Sequence, residues 1–403
     1  MIEPVRARVL VPEWAPTVIP APYDSLTPDE HARRLAENPD SFAHVAGVPA
    51  GSSGHPSEHR RHATRSTQAL NRLIGLGAFG DTRAPSLYVQ RVEADDCVQH
   101  ALLGCVRLDA HELRPHEDTQ PGRVHGLAVH FSEVGCMSSP VVVTAPRLTA
   151  VAAVIEATLA AAEPVESRGS AESNRSSTPL APLLDTKTVD GARVTLWPAV
   201  VAGGEGAGVG LDGPLYIVDG HHRVAAARQA GFSHVLVACA PAEELHLGSF
   251  DRELSELHLM PRRVMEMMSV RCDMEEVPDA AAARPRTPGW IGLGVAGRWY
   301  RARVRDAGLG SSVSPVPNPA TRLDAAFVHD CVLGEIFGVE SASDPRIAYR
   351  PAAAATSAAP VTILLAPVLL DSVFEVADFG AVMPPKTTCF LPKARSGLLL
   401  VRC

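Results

Sequence analysis

The amino-acid sequence predicts a mixed α/β chain of the α+β class, and three observations carry that prediction. First, the apolar run Leu215-Tyr216-Ile217-Val218 leads into Asp219-Gly220-His221-His222-Arg223 and then VAAARQAG, a strand, turn and helix that Gly231 can close as a C-cap. Second, a β-rich stretch from Phe232 to Ala240 follows at once, so helix and strand character alternate. Third, 34 prolines and 31 glycines in 403 residues divide the chain into many short elements and exclude a long coiled coil.

Taken in order, Thr27 followed by Pro28, Asp29 and Glu30 reads as a capped helix start, with the helix ending before Pro39. Glu58 to Leu76 is a second helix, because Leu70, Leu73 and Ile74 fall on one apolar face. Strand patterns occupy Ser86 to Val92 and His100 to Leu108, and the polar, Ser-rich stretch 163–180 reads as a flexible insertion. Val194 to Val201 resumes strand character. The glycines of 203–210 read as a linker, since Leu211-Asp212 follows them where a phosphate loop needs Lys and Ser or Thr. Beyond the central strand–turn–helix, Phe250 to Met268 reads as helix broken near Pro261, Ala281 to Pro288 as a linker, and Trp290 to Val304 as a hairpin. Two domains follow from this pattern: 1–245, carrying the insertion, and 246–403, a C-terminal α+β domain.

A hydrophobic fraction of 46% against 20% charged residues supports a sizeable core. A net charge of -8 disfavours sequence-independent binding to nucleic acid or to an anionic membrane. The first residues, MIEPVRARVLVPEWAP, lack an apolar h-region, so no secretory leader is expected, and the longest apolar stretch, Val361 to Phe374, is broken by Pro367 and Asp371, so no membrane span is expected. The 8 cysteines form no CxxC pair, which reads as reduced thiols in a cytoplasmic protein.

Three clusters could carry chemistry. In Asp219-Gly220-His221-His222-Arg223 the glycine frees the turn, the following helix start attracts an anion, and Arg223 offers a forked donor. The plain alternative is an Asp219 cap with solvent-facing histidines. Zinc is disfavoured because adjacent histidines seldom face one ion. In Arg114-Pro115-His116-Glu117-Asp118-Thr119, Glu117 is either a general base or a solvated loop carboxylate. In Met383-Pro384-Pro385-Lys386-Thr387-Thr388, two prolines hold a cation and two hydroxyls, which suits a carboxylate or phosphate and equally an ordinary surface loop.

Read in order, these clusters resemble the ParB/sulfiredoxin-like superfamily, and within it the free L-serine kinase branch, with its RPHE-like and DGHHR boxes and late PKTT segment. Over about Val11 to Val401 the chain is also similar to a widespread bacterial family of unknown function, through SLYVQRV, LRPHEDTQP, MSSPVVV, LYIVDGHHRVAAA, GRWYRARVR and MPPKTTCFLPKARSGLLL. The resemblance implies a ParB-like nucleotide-binding core in the domain 1–245, with the C-terminal domain 246–403 closing the substrate cleft. Glu117 is implied as catalytic base, together with Asp219 and His222; His116, Gly220, His221 and Arg223 would hold ATP or ADP. Asp219 is also the implied Mg2+ ligand, and Lys386, Thr387 and Thr388 are implied on the substrate side. The 241–265 stretch matches the family pattern weakly.

The expected activity is phosphoryl transfer from ATP or ADP to the hydroxyl of a free amino acid, most simply L-serine to O-phospho-L-serine. A small-molecule substrate is the expected partner, with no nucleic acid and no membrane, and a homodimer is a candidate assembly. The alternative is a ParB-like nucleotide-binding or hydrolysing regulator without small-molecule kinase activity, although neither a helix-turn-helix nor a basic face is evident. A sulfiredoxin-like repair enzyme would need a cysteine in the turn before the arginine, where His222 stands. A catalytically silent scaffold is the third alternative, disfavoured by the intact Glu117.

Overall fold

A computed structural model describes residues 1–22, 26–46, 55–94, 96–110, 112–163, 178–204, 206–305, 318–352 and 359–402. The architecture is α+β, as the alternation of elements predicts. The chain divides into one unit of Met1–Leu113, Thr119–Leu245 and Pro392–Cys403, and another of Arg114–Asp118 and His246–Leu391.

In the first unit the main sheet runs, in spatial order, through Leu215–Asp219, Val141–Thr144, His234–Cys239, Cys97–Arg107, Tyr88–Ala94, Arg193–Pro198 and Leu184–Lys187. Neighbours are antiparallel except Val141–Thr144 with His234–Cys239, where Val237 faces Val141 in a parallel pair. Both of these strands are apolar along almost their whole length and buried, as strands covered on both faces must be. The helix His221–Gln229 ends as its sequence predicts. Gly231 has φ +77°, its amide reaches the carbonyl of Arg228, and the Phe232 amide reaches Ala227, the two bonds of a Schellman cap. A smaller antiparallel sheet joins Leu399–Val401, Ala7–Leu10 and Phe79–Asp81.

The helix at Pro28–Glu37 carries a full capping box, with the Thr27 hydroxyl accepting from the Glu30 amide and the Glu30 carboxylate accepting from the Thr27 amide. The second predicted helix spans Pro56–Gly75, and Leu70 and Leu73 are buried as expected. Two helices that the periodicity left unassigned, Pro121–Val134 and Thr149–Ala162, complete the layer. The Ser-rich insertion falls largely at 164–177, outside the described residues.

The second unit is built on a six-stranded antiparallel sheet in the order Cys272–Val277, Arg298–Val304, Trp290–Val295, Val361–Leu365, Phe250–Leu254 and Ile347–Pro351. Its core gathers Leu254, Val264, Met268, Ile291, Leu293 and Ile363. The predicted hairpin closes at Ala296 and Gly297, with φ +49° and +80°, the left-handed pair that a two-residue turn demands.

Two expectations are corrected here. Residues 250–268 are not one broken helix: Phe250–Leu254 is a buried strand, and only Pro261–Ser269 is helical. Asp251, Arg252 and Glu253 look like helix-surface residues in sequence, yet each finds partners in the fold: Asp251 pairs with Arg284 after the short helix, Glu253 with Arg350 on the neighbouring strand, and Arg252 with the carbonyls of Phe250 and Lys386. The 281–288 linker begins inside a short helical turn, Ala280–Ala283, capped by the Asp279 carboxylate. The seven described cysteines form no disulfide with one another, and no helix among the described residues is long and apolar enough to cross a membrane.

Helices Pro56–Gly75 and Pro121–Val134 meet at paired histidines. His59 lies 5.8 Å from His125 and His62 lies 6.3 Å from His130, ring centre to ring centre. Burial, reinforced by the neighbouring His62, pushes His130 down to about 4. The folded chain therefore refuses a proton that an unfolded histidine accepts near pH 6.5. The stability this supplies is complete above pH 6.5 and is lost as pH falls toward 4, by on the order of 3 kcal/mol at most. Thermal melts should show the midpoint falling across this window, and His130→Leu should flatten the slope.

Candidate functional site

The residues singled out in the sequence fall into two sets. Asp219, Gly220, His221, His222 and Arg223 belong to the first unit, and His116, Glu117, Lys386, Thr387 and Thr388 to the second.

In the first set, strand Leu215–Asp219 ends at Gly220 and helix His221–Gln229 begins one residue later. Gly220 has φ +105°, so the turn calls for glycine on conformational grounds, and a Cβ there, 2.9–3.0 Å from the Arg223 guanidinium, would also displace that side chain. Asp219 and Arg223 form a close ion pair, and Arg223 also donates to the Pro140 carbonyl. Lys393 Nζ stands 3.8 Å from the other Asp219 oxygen. Burial would raise the Asp219 pKa, but Arg223, Lys393 and His221 outweigh it and hold the carboxyl well below the usual carboxylate range. His221 is buried. His222 Nε2 accepts the Gln120 amide at 3.0 Å, so this nitrogen carries no proton and the ring caps helix Pro121–Val134.

The second set is joined by one hydroxyl. Thr388 Oγ1 donates to Glu117 Oε1 at 3.1 Å and lies 3.2 Å from His116 Nε2. A threonine hydroxyl has a single proton, and here it goes to the carboxylate. His116 must therefore present Nε2–H, giving a directed chain from His116 through Thr388 to Glu117. His116 and Thr388 are buried, while Glu117 is half-buried. The Met383 amide bonds the His116 carbonyl at 2.8 Å, and Arg114 pairs with Asp378, so the RPHE segment is stitched to the approach of the PKTT loop on both sides.

Within that loop the Thr387 hydroxyl donates to the Pro384 carbonyl at 2.6 Å. Lys386 is exposed, has φ +58°, and holds its ammonium 4.9 Å above the Phe250 ring. Two residues near these sets carried no sequence-based assignment. Lys393 faces Asp219, and its only signal was its place in the FLPKARSG run. Arg252 donates to the Lys386 carbonyl at 3.1 Å from a segment that reads in sequence as helix.

A resident metal ion does not fit the first set. The Asp219 carboxylate already faces two cations, and no group of three or more His, Cys, Asp or Glu among the described residues is arranged to hold one.

Sequence comparison defines the class of protein. The chain belongs to the family described as "Protein of unknown function (DUF1015)", which matches residues 2–326. A search of curated proteins gave no match. Among solved structures, C-terminally truncated SbnI from Staphylococcus aureus is similar at 12% identity and a TM-score of 0.42, over 74% of this chain and 87% of that one. A free serine kinase in complex with AMP is similar at 13% identity and a TM-score of 0.38, over 73% and 91%. A conserved hypothetical protein from Pyrococcus furiosus is similar at 12% and 0.34, over 73% and 93%.

Gly220→Ala tests the geometry of the turn. Forcing a Cβ into the left-handed conformation against Arg223 should cost about 1–3 kcal/mol, read as a lower denaturation midpoint. A much smaller loss is expected for Gly213→Ala, because a Cβ there meets nothing within 4 Å.

Proposed function

We propose that this protein is a small-molecule kinase that transfers a phosphoryl group from ATP or ADP to the hydroxyl of a free amino acid, with L-serine as the first candidate acceptor. One observation carries the reading: the PHE and PKTT boxes, 271 residues apart in sequence, meet at the hydrogen bond between Thr388 and Glu117. A carboxylate oriented by a buried hydroxyl that itself accepts a histidine N–H is an equipped general base. The ordered RPHE, DGHHR and PKTT boxes resemble those of free L-serine kinases on a ParB-like core, and the roles follow residue by residue.

In this reading the start of helix His221–Gln229 and the cations Arg223 and Lys393 attract nucleotide phosphates, with His221 and His222 lining the turn. Asp219 orients Arg223 through their ion pair and keeps the cluster from excess positive charge. Lys386 takes the acceptor's carboxylate on the loop that Thr387 and Thr388 shape. Glu117 accepts the hydroxyl proton as the oxygen bonds to the terminal phosphorus. The bond from that phosphorus to the bridging oxygen breaks, and ADP leaves from ATP, or AMP from ADP. Positioning and charge neutralisation supply most of the rate in such transfers, and no step here is routed through a metal ion.

The deciding experiment incubates the full-length protein with each nucleotide, a divalent cation and a panel of free amino acids, read by phosphorus NMR. Transfer to one hydroxy amino acid is expected. Nucleotide hydrolysis without transfer would support the regulatory alternative. Glu117→Gln should lower turnover by about two orders of magnitude or more while leaving nucleotide affinity near wild type by calorimetry. Arg223→Ala should instead weaken nucleotide binding, by about tenfold or more for a charge-assisted contact; an unchanged titration would remove Arg223 from the phosphate site.

A further inference from the structure

Arg252 is 2% exposed and sits in the centre of strand Phe250–Leu254. Strand alternation sends its side chain to the face opposite those of Asp251 and Glu253. Both carboxylates are engaged with other partners, Asp251 by two bonds of 3.1 and 2.7 Å from Arg284, and Glu253 by Arg350. Arg252 donates to the carbonyls of Phe250 and Lys386, and its guanidinium lies 5.7 Å from the Tyr349 ring centre. Burial lowers its pKa to about 10, against the opposing pull of Tyr349 and Asp251, which leaves it fully charged at neutral pH. A buried cation whose bonds go to neutral carbonyls is costly to a fold, and here it projects positive potential toward its surroundings.

The residue it grips is itself strained. Lys386 holds φ +58°, a conformation that side chains other than glycine, asparagine and aspartate seldom adopt, and such strain persists only where neighbours enforce it. Three groups do so: Arg252 on the Lys386 carbonyl, the Thr387 hydroxyl on Pro384, and the Phe250 ring beneath the ammonium.

We propose that Arg252 is a positioning and specificity residue for the acceptor. It clamps Lys386 in its strained conformation and adds a second positive charge behind it, so the site selects acceptors that carry a carboxylate. This rests on the reading of Lys386 as the acceptor contact. Two cations, one exposed and one buried, favour an anionic group where a neutral carboxamide gains little.

The test compares kcat and KM for L-serine and L-serinamide in full-length wild type, Arg252→Gln and Arg252→Lys. Glutamine can still donate to a carbonyl but carries no charge, whereas lysine keeps the charge and loses the fork. The preference for L-serine should fall about tenfold or more in Arg252→Gln, through a higher serine KM, with kcat at saturation changed less than about threefold. Arg252→Lys should retain most of the preference. A wild-type preference in Arg252→Gln, or an equal loss in Arg252→Lys, overturns the charge role. Should Arg252→Gln not fold, inhibition of the wild type decides: acetate should compete with L-serine and acetamide should not, and equal effects overturn the proposal. Wild-type protein that phosphorylates neither compound overturns the acceptor reading, and the inference with it.

Discussion

A single threonine hydroxyl sets what the rest of the second unit must hold in place. Thr388 gives its only proton to Glu117 and takes one from His116, so the three side chains have one consistent pattern of donors and acceptors. That pattern survives only if two segments distant in sequence keep their register to within a few tenths of an ångström. The backbone bond from Met383 to His116 and the pair between Arg114 and Asp378 serve this end. Burial of His116 and Thr388 keeps water from competing for the hydroxyl.

The first unit meets a different constraint with different means. A strand must end, reverse and start a helix within one residue, and Gly220 does this in a conformation that a side chain would block. Arg223 pairs with Asp219 across this turn, and Lys393 completes a cluster in which two cations face one carboxylate. The residual positive charge and the helix dipole act in the same direction. His222, which looks like a free ligand in sequence, spends one nitrogen on the Gln120 amide and thereby ties this turn to the start of the next helix layer.

Buried charge links the sheet of the second unit to its loop. Asp251, Arg252 and Glu253 occupy consecutive positions of a strand whose five residues are all buried, a pattern that would be prohibitive if any were left without partners. Arg284 and Arg350 neutralise the acids, and Arg252 reaches instead to the loop at Lys386. The strain at Lys386 and the burial of Arg252 meet at the same contact.

What the sequence determined by itself is local. The capping box at Thr27, the Schellman cap at Gly231, the left-handed turn at Ala296 and Gly297 and the strand–turn–helix through Gly220 each depend on residues within about six positions of one another, so spacing alone reveals them. The three polar boxes were visible as well, because they concentrate chemistry-bearing residues in short runs. Which of them meet was decided only by the tertiary structure. Glu117 finds Thr388 and Asp219 finds Lys393 across well over a hundred residues of chain, a pairing that no periodicity encodes. The same reason explains the misread at 250–268: a run of charges at a strand's centre resembles a helix surface until the tertiary structure supplies an arginine for each acid and carbonyls for Arg252.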